Sequence, residues 1–175
     1  MSEGINSIKN KMKTLYIIRH AKSDWENFNQ ADFDRSLNER GNKDAKKMAA
    51  RLLKKNVIID TFISSTAIRA KETCEHFCKV YNVPISDINF IDKLYHASSP
   101  AIYEVVDSID NKFNHAAIFC HNPGITDFAN TLISKVRLDN MPTCGIFALE
   151  IDTDDWKEFE ASEKKFLFFD YPKQV

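Results

Sequence analysis

The sequence predicts an α/β fold, a three-layer α/β/α sandwich around a mainly parallel mixed sheet. Three observations lead there. Strand-like and helix-like segments alternate through most of the chain. The strand-like runs at 14–19 and 115–120 are continuously apolar, as strands covered on both faces require. The last two strand-like segments follow one another with only a turn between them, which adds antiparallel character at the end.

Taken in order, TLYIIR (14–19) reads as a buried strand. From Asn38 the period changes. Ala45, Met48, Ala49, Leu52 and Leu53 fall at i, i+3, i+4, i+7 and i+8, an amphipathic helix with Asn38 as its N-cap. IIDTFISS (58–65) is a second strand. A helix follows over 66–81, burying Ala70, Cys74, Phe77, Cys78 and Tyr81, with Pro84 beyond its end. INFI (88–91) is a short strand, and PAIYEVVDSI (100–109) opens with a proline suited to a first helical turn. HAAIFC (115–120) is another buried strand, and HNPGITDFANTLIS supplies a loop and a helix. Strands at 145–151 and 164–171, with a turn at 152–155, complete the pattern.

A chain of 175 residues, 43% of them hydrophobic, has material for one core of ordinary size. A single domain over 13–175 is expected, preceded by a flexible extension at 1–12. The formal net charge of −1 gives no global field for nucleic acid or membrane, so any basic site is local. MSEGINSIKNKMK lacks the apolar core of a signal peptide, and no window approaches the length of a transmembrane helix. The expectation is a cytoplasmic protein, with a monomer favoured. The four cysteines fit that compartment. Cys74, Cys78 and Cys120 with His121 could be drawn together as a metal set. Their spacing matches no paired Cys-x-x-Cys pattern, and core packing is the preferred reading. No metal or organic cofactor is expected.

Ligands of open parallel sheets bind outside the carboxyl ends of the strands. Three such ends carry unusual residues here. The first has Arg19 and His20. The second leads through Ser64, Ser65 and Thr66 to Arg69. The third ends at His121-Asn122, ahead of a helix beginning near Pro123-Gly124. Two arginines, two histidines and helix amides on one rim make an anion pocket. Arginine presents a planar fork to phosphate oxygens, helix N-termini add N–H donors, and imidazole can attack phosphorus.

These same stretches carry a family resemblance. RHAKSDW (19–25) resembles the Arg-His-Gly/Ala signature of the histidine phosphatase superfamily, whose fold is phosphoglycerate-mutase-like. DRSLNERG (34–41) resembles its Arg-Pro-Leu-Thr-x-x-Gly segment, with Ser36 in place of proline. ISSTAIRAKET (63–73) is similar to Ser-x-x-x-Arg-Ala-x-x-Thr, and CHNPGI (120–125) to Gly-His-Asn-Pro. The short length and RHAKSDW look most like the SixA branch of phosphohistidine phosphatases, a minimal form without a large lid. The resemblance implies that His20 becomes phosphorylated, that Arg19 and Arg69 grip phosphate oxygens, and that His121 completes the pocket. Asn122, Lys22 and Arg35 would extend the phosphate-binding rim, and Trp25 and Phe28 would line its mouth. His76 and His115 read as structural or exposed.

Branches acting on stable esters use a carboxylic general acid, and this sequence departs from them at both usual places. Asp24 is the candidate nearest the nucleophile, and it equally fits a loop or cap residue. Asp92 and His96 are the alternatives. A missing acid favours phosphohistidine or an activated ester, since general acid catalysis commonly contributes about 10² to 10⁴ in rate. The expected partner is a phosphorylated protein or a small phosphate ester. A general phosphomonoesterase is the runner-up function, and a non-catalytic phosphate-binding module is the reading from another class.

Overall fold

In β1 (Lys13–Arg19), Leu15 and Ile17 face one side of the sheet and Tyr16 and Ile18 the other, and all four are buried. That alternation divides the interior into two cores. Tyr16 and Ile18 pack with Ala45, Met48 and Leu52 of α1 (Glu39–Lys54) and with Cys74, Phe77 and Cys78 of α2 (Ile68–Tyr81). Leu15 and Ile17 pack with Ile102, Val105 and Val106 of α3 (Ser99–Asp107) and with Ile125, Phe128 and Ala129 of α4 (Gly124–Leu132). Helices therefore cover both faces, which gives the three layers. These positions come from a computed structural model that describes residues 12–26 and 29–174. The extension expected at 1–12 lies, apart from Met12, outside the described residues, as does Phe28.

The remaining strands are β2 (Thr61–Ser64), β3 (Asn89–Phe90), β4 (His115–Cys120), β5 (Ile146–Ile151) and β6 (Lys164–Asp170). The order across the sheet is β3-β2-β4-β1-β5-β6. The first four strands run parallel, while β5 lies antiparallel on β1 and β6 antiparallel on β5. The sheet is thus mixed as expected, with its antiparallel part confined to the end of the chain. The carboxyl ends of β2, β4 and β1 are neighbours, which brings the three polar strand ends onto one rim.

Several expected boundaries contract. The strand expected at 58–65 keeps only Thr61–Ser64, because the Asp60 carboxylate turns to accept the backbone N–H groups of Asn114 and His115, and Ile58 stands 57% exposed. The strand expected at 88–91 keeps two residues. Ile91 N–H still reaches Ser64 O, but the chain then enters a 3₁₀ turn at Asp92–Leu94. The helix expected from 66 begins at Ile68, since the Ser65 hydroxyl accepts Ala67 N–H and holds 65–67 as a loop. Leu53 was expected in the core and is 45% exposed. Its place on the helical wheel is roughly 80° from Ala45, off the stripe that Met48, Ala49 and Leu52 share.

All four cysteines are free and buried. Cys74 and Cys78 lie in one core and Cys120 in the other, so the sheet separates the metal set that the sequence allowed. Burial pushes the Cys74 thiol well up and the Cys120 thiol to about 12, and it raises Cys144 as well. Among the described residues no helix is long and apolar enough to cross a membrane.

Candidate active site

The register of two strands sets the two histidines side by side. Arg19, the last residue of β1, pairs with Cys120, the last of β4. The next residues are therefore His20 and His121, whose rings lie 5.0 Å apart between centroids. His20 N–H continues the ladder to Cys120 O at 3.1 Å, and Ser65 N–H reaches Phe119 O at 3.0 Å. The chain after β2 is thereby held against β4 until α2 opens and presents Arg69 in its first turn. Backbone contacts fix the other walls. Cys144 N–H donates to His20 O, and an ideal Cβ on Gly41 would stand 2.1 Å from Lys22 O. Only glycine lets α1 approach the loop after His20 so closely.

The His20 ring is fixed in one tautomer. Nδ1 lies 2.7 Å from Ala21 O, a pure acceptor, so Nδ1 carries the proton. Nε2 then presents a lone pair, and it accepts from Arg69 Nε at 3.2 Å. Burial, followed by the charges of Arg69, Arg19 and Arg35, lowers the His20 pKa to about 3 against the upward pull of the Ala21 carbonyl. His20 is thus a neutral imidazole whose unprotonated Nε2 faces cations and accepts from one of them. His121 is neutral for the same reasons: burial first, then His20, Arg69 and His96 bring its pKa to about 2, with Asp32 opposing. His121 Nε2 lies 2.8 Å from the Ser65 hydroxyl, and its Nδ1 is buried with no protein partner.

A pH dependence of stability follows. Unfolded, both histidines bind a proton below about 6.5, and in the native pocket neither does until far lower pH. Stability is therefore complete above pH 6.5 and is lost as pH falls below it. The slope is roughly 1 kcal/mol per pH unit for each histidine. Denaturant midpoints at pH 7 and pH 5 should differ accordingly, with a smaller difference in His20→Asn. Equal midpoints in the wild type would contradict neutral burial of the pair.

One residue at the centre of the site was missed by sequence reasoning. Asp32, in a 3₁₀ turn at Asp32–Asp34, accepts from Arg69 Nη2 at 2.9 Å through Oδ2 and offers its backbone carbonyl to Arg69 Nη1. Its Oδ1 accepts from Arg35 Nε and Nη2, and its Oδ2 also accepts from the Tyr95 hydroxyl at 2.8 Å. Burial pushes this carboxyl up, but the hydrogen bonds from Arg35, Tyr95 and Arg69, with the Arg69 charge, outweigh that and hold it well below the usual carboxylate range. Asp32 stays ionised at any working pH and fixes two guanidinium groups.

A cavity of about 250 Å³ is lined by Arg19, His20, Lys22, Asp32, Arg35, Arg69, His96, His121 and Asn122, with Ser23, Trp25 and Thr143. The structure thus brings together Arg19, His20, Arg69, His121, Asn122, Lys22 and Arg35 of the expected site residues. Arg19 donates through Nη1 to Met141 O at 2.6 Å, while its Nε is buried without a protein partner. Arg35 also donates to the Ser23 hydroxyl and lies over the Trp25 ring, 3.6 Å from its centroid. The Asn122 amide is committed elsewhere, donating to Asn140 and Met141 O and accepting from Thr126, so it braces the loop before β5. Asp24 is left out. It lines an adjoining groove with Glu26, Leu37, Asn38 and Glu39, and its Oδ1 accepts Glu26 N–H at 2.9 Å, the local loop role. Asp92 opens a 3₁₀ turn and does not line the cavity, whereas His96 does. His76 contacts Asn42, and His115 pairs with Asp60, both away from the cavity.

A neutral imidazole with an unprotonated nitrogen on the cavity, ringed by guanidinium groups and a second imidazole, can receive a phosphoryl group and stabilise its charge. Residues 15–91 match the family model described as the histidine phosphatase superfamily (branch 1). An uncharacterized chloroplastic protein of Arabidopsis thaliana is 28% identical over 155 residues, 83% of this chain and 70% of its own length. The structure of a candidate phosphohistidine phosphatase SixA from Agrobacterium tumefaciens is similar at a TM-score of 0.76 and 25% identity, covering 91% of this chain and 98% of that one. A mycobacterial glucosyl-3-phosphoglycerate phosphatase shares the fold at a TM-score of 0.66 and 16% identity, covering 91% and 99%.

Proposed function

We propose, from the premise that this chain belongs to the histidine phosphatase superfamily and to its SixA-like branch, that its phosphatase activity is directed at phosphohistidine on a protein. His20 Nε2 attacks phosphorus, and the electron pair of the breaking P–N bond stays on the departing imidazole. Arg19 and Arg69 balance the charge on the equatorial oxygens, and the neutral His121 ring completes the pocket. Water then attacks the phosphohistidine formed on His20, releasing orthophosphate and restoring the neutral ring.

The observation that carries this reading is the state of Asp32. It is the one carboxylate lining the cavity among the described residues, and two guanidinium groups hold it ionised. It has no proton to give an alkoxide. A phosphohistidine asks less, because its P–N bond weakens once the other ring nitrogen is protonated. The cavity, at about 250 Å³, also falls just short of the pockets that bury whole small ligands, which run to about 300–1,000 Å³. Only about fifty residues lie between Arg69 and His121, which leaves that stretch no length for a large lid. A phosphorylated side chain on another protein fits such an opening.

The runner-up is a phosphomonoesterase acting on a small molecule, and the fold alone does not choose, since a glucosyl-3-phosphoglycerate phosphatase shares it. The two are separated by kcat/KM for a phosphohistidine peptide against that for an aliphatic phosphate ester. The expected ratio favours the peptide by about 10² or more, the usual worth of the absent carboxylic acid. A preference for the ester overturns the proposal.

A further inference from the structure

His96 stands at the mouth of this cavity in a backbone conformation that histidine seldom adopts. Its φ is +52°, in the left-handed region, and its side chain is 63% exposed while lining the cavity. Two contacts hold the ring there. Its Nε2 is 3.8 Å from Asp32 Oδ2, and its ring lies 4.0 Å from that of Tyr95, which itself meets His121 edge-on at 5.7 Å. Its segment is pinned from behind. An ideal Cβ on Gly124 would fall 1.7 Å from Ala97 O, so the start of α4 abuts the residue after His96.

We infer that His96, paired with Asp32, is the proton donor to the departing imidazole and a determinant of preference for P–N substrates. This rests on the reading of His20 as nucleophile and deepens it. The nitrogen whose protonation releases a phosphohistidine lies across the ring from phosphorus. With phosphorus over His20, that nitrogen points outward, toward the mouth where His96 stands. The bridging oxygen of an ester is instead bonded directly to phosphorus, a ring's width further from the mouth. As His20 attacks, the P–N electron pair passes to the substrate imidazole, and the proton of the His96 imidazolium goes to its distal nitrogen. The substrate leaves as neutral histidine and His96 is left neutral. In the second step water attacks phosphorus on His20 without help from His96, the proton it gives up leaves with orthophosphate to solvent, and His96 regains a proton from solvent at the mouth. One water is consumed and no other reactant is needed.

Asp32 faces His96 as the favourable charge. Arg35 and Arg69 stand behind Asp32 and offset part of it, and buried His121 and the Tyr95 phenol are the other titratable groups around the ring.

The test is His96→Asn, chosen because asparagine tolerates left-handed backbone. Wild type and variant are compared on a phosphohistidine peptide, an activated aryl phosphate and an aliphatic phosphate ester. The peptide rate should fall by about 10²-fold, while the aryl rate should stay within about twofold. An equal fall on peptide and aryl phosphate, or an unchanged peptide rate, overturns the role of His96. A wild type that prefers the aliphatic ester overturns the phosphohistidine reading itself, and the wild-type arm shows this without reference to the variant.

Discussion

His20→Gln reduces hydrolysis of every phosphate substrate by about 10⁴-fold or more while the protein remains folded. Glutamine fills a similar volume, and its amide oxygen can still accept from Arg69 Nε, as His20 Nε2 does at 3.2 Å. What it lacks is a nitrogen lone pair able to form a P–N bond. The loss is therefore chemical, and a folded far-ultraviolet spectrum alongside an inactive enzyme is the expected pairing. A brief reaction with ³²P-labelled substrate, quenched at alkaline pH, should leave label on the wild type and none on the variant. Residual activity within tenfold of wild type would remove His20 from the nucleophile's role.

Arg69→Lys produces the second largest loss, about 10² to 10³ in kcat/KM on an activated aryl phosphate. The charge is conserved, so the prediction isolates geometry. Arg69 uses its planar fork three ways: Nε toward His20 Nε2, Nη1 toward the Asp32 carbonyl and Nη2 toward the Asp32 carboxylate. An ammonium is a point charge on a flexible stem and cannot hold that set in one plane. Arg69 is also 3% exposed, so water cannot take over the contacts it abandons. A change below fivefold would show that charge alone is required there.

The sequence carried the parts of this site that sit at the ends of strands. Arg19, His20 and His121 each follow an apolar run directly, and Arg69 opens a helix one short loop after another such run. Pattern and position alone mark such residues, and the phosphatase fold follows from the same alternation. Asp32 left no comparable trace. It lies in a short 3₁₀ turn without hydrophobic period, and its partners Arg69 and Tyr95 are 37 and 63 positions away. That cluster exists only once the fold does. Asp24 misled for the converse reason, since nearness in sequence to His20 suggested a shared cavity while its carboxylate serves Glu26 N–H. The strand order was likewise not written locally, because inserting β4 between β2 and β1 is decided by packing across the whole sheet.

The placement of the thiols has a bearing on when such an enzyme stays active. Every cysteine is enclosed in one of the two cores, and burial keeps the thiols of Cys74, Cys120 and Cys144 protonated. Peroxide oxidises thiolates first, through sulfenic acid, and a protonated buried thiol offers it little. The nucleophile proposed here is a ring nitrogen, which does not enter that ladder at all. If His20 is the nucleophile, peroxide that inactivates a phosphatase working through a cysteine thiolate is expected to leave phosphoryl removal here intact, which assaying activity before and after peroxide treatment checks.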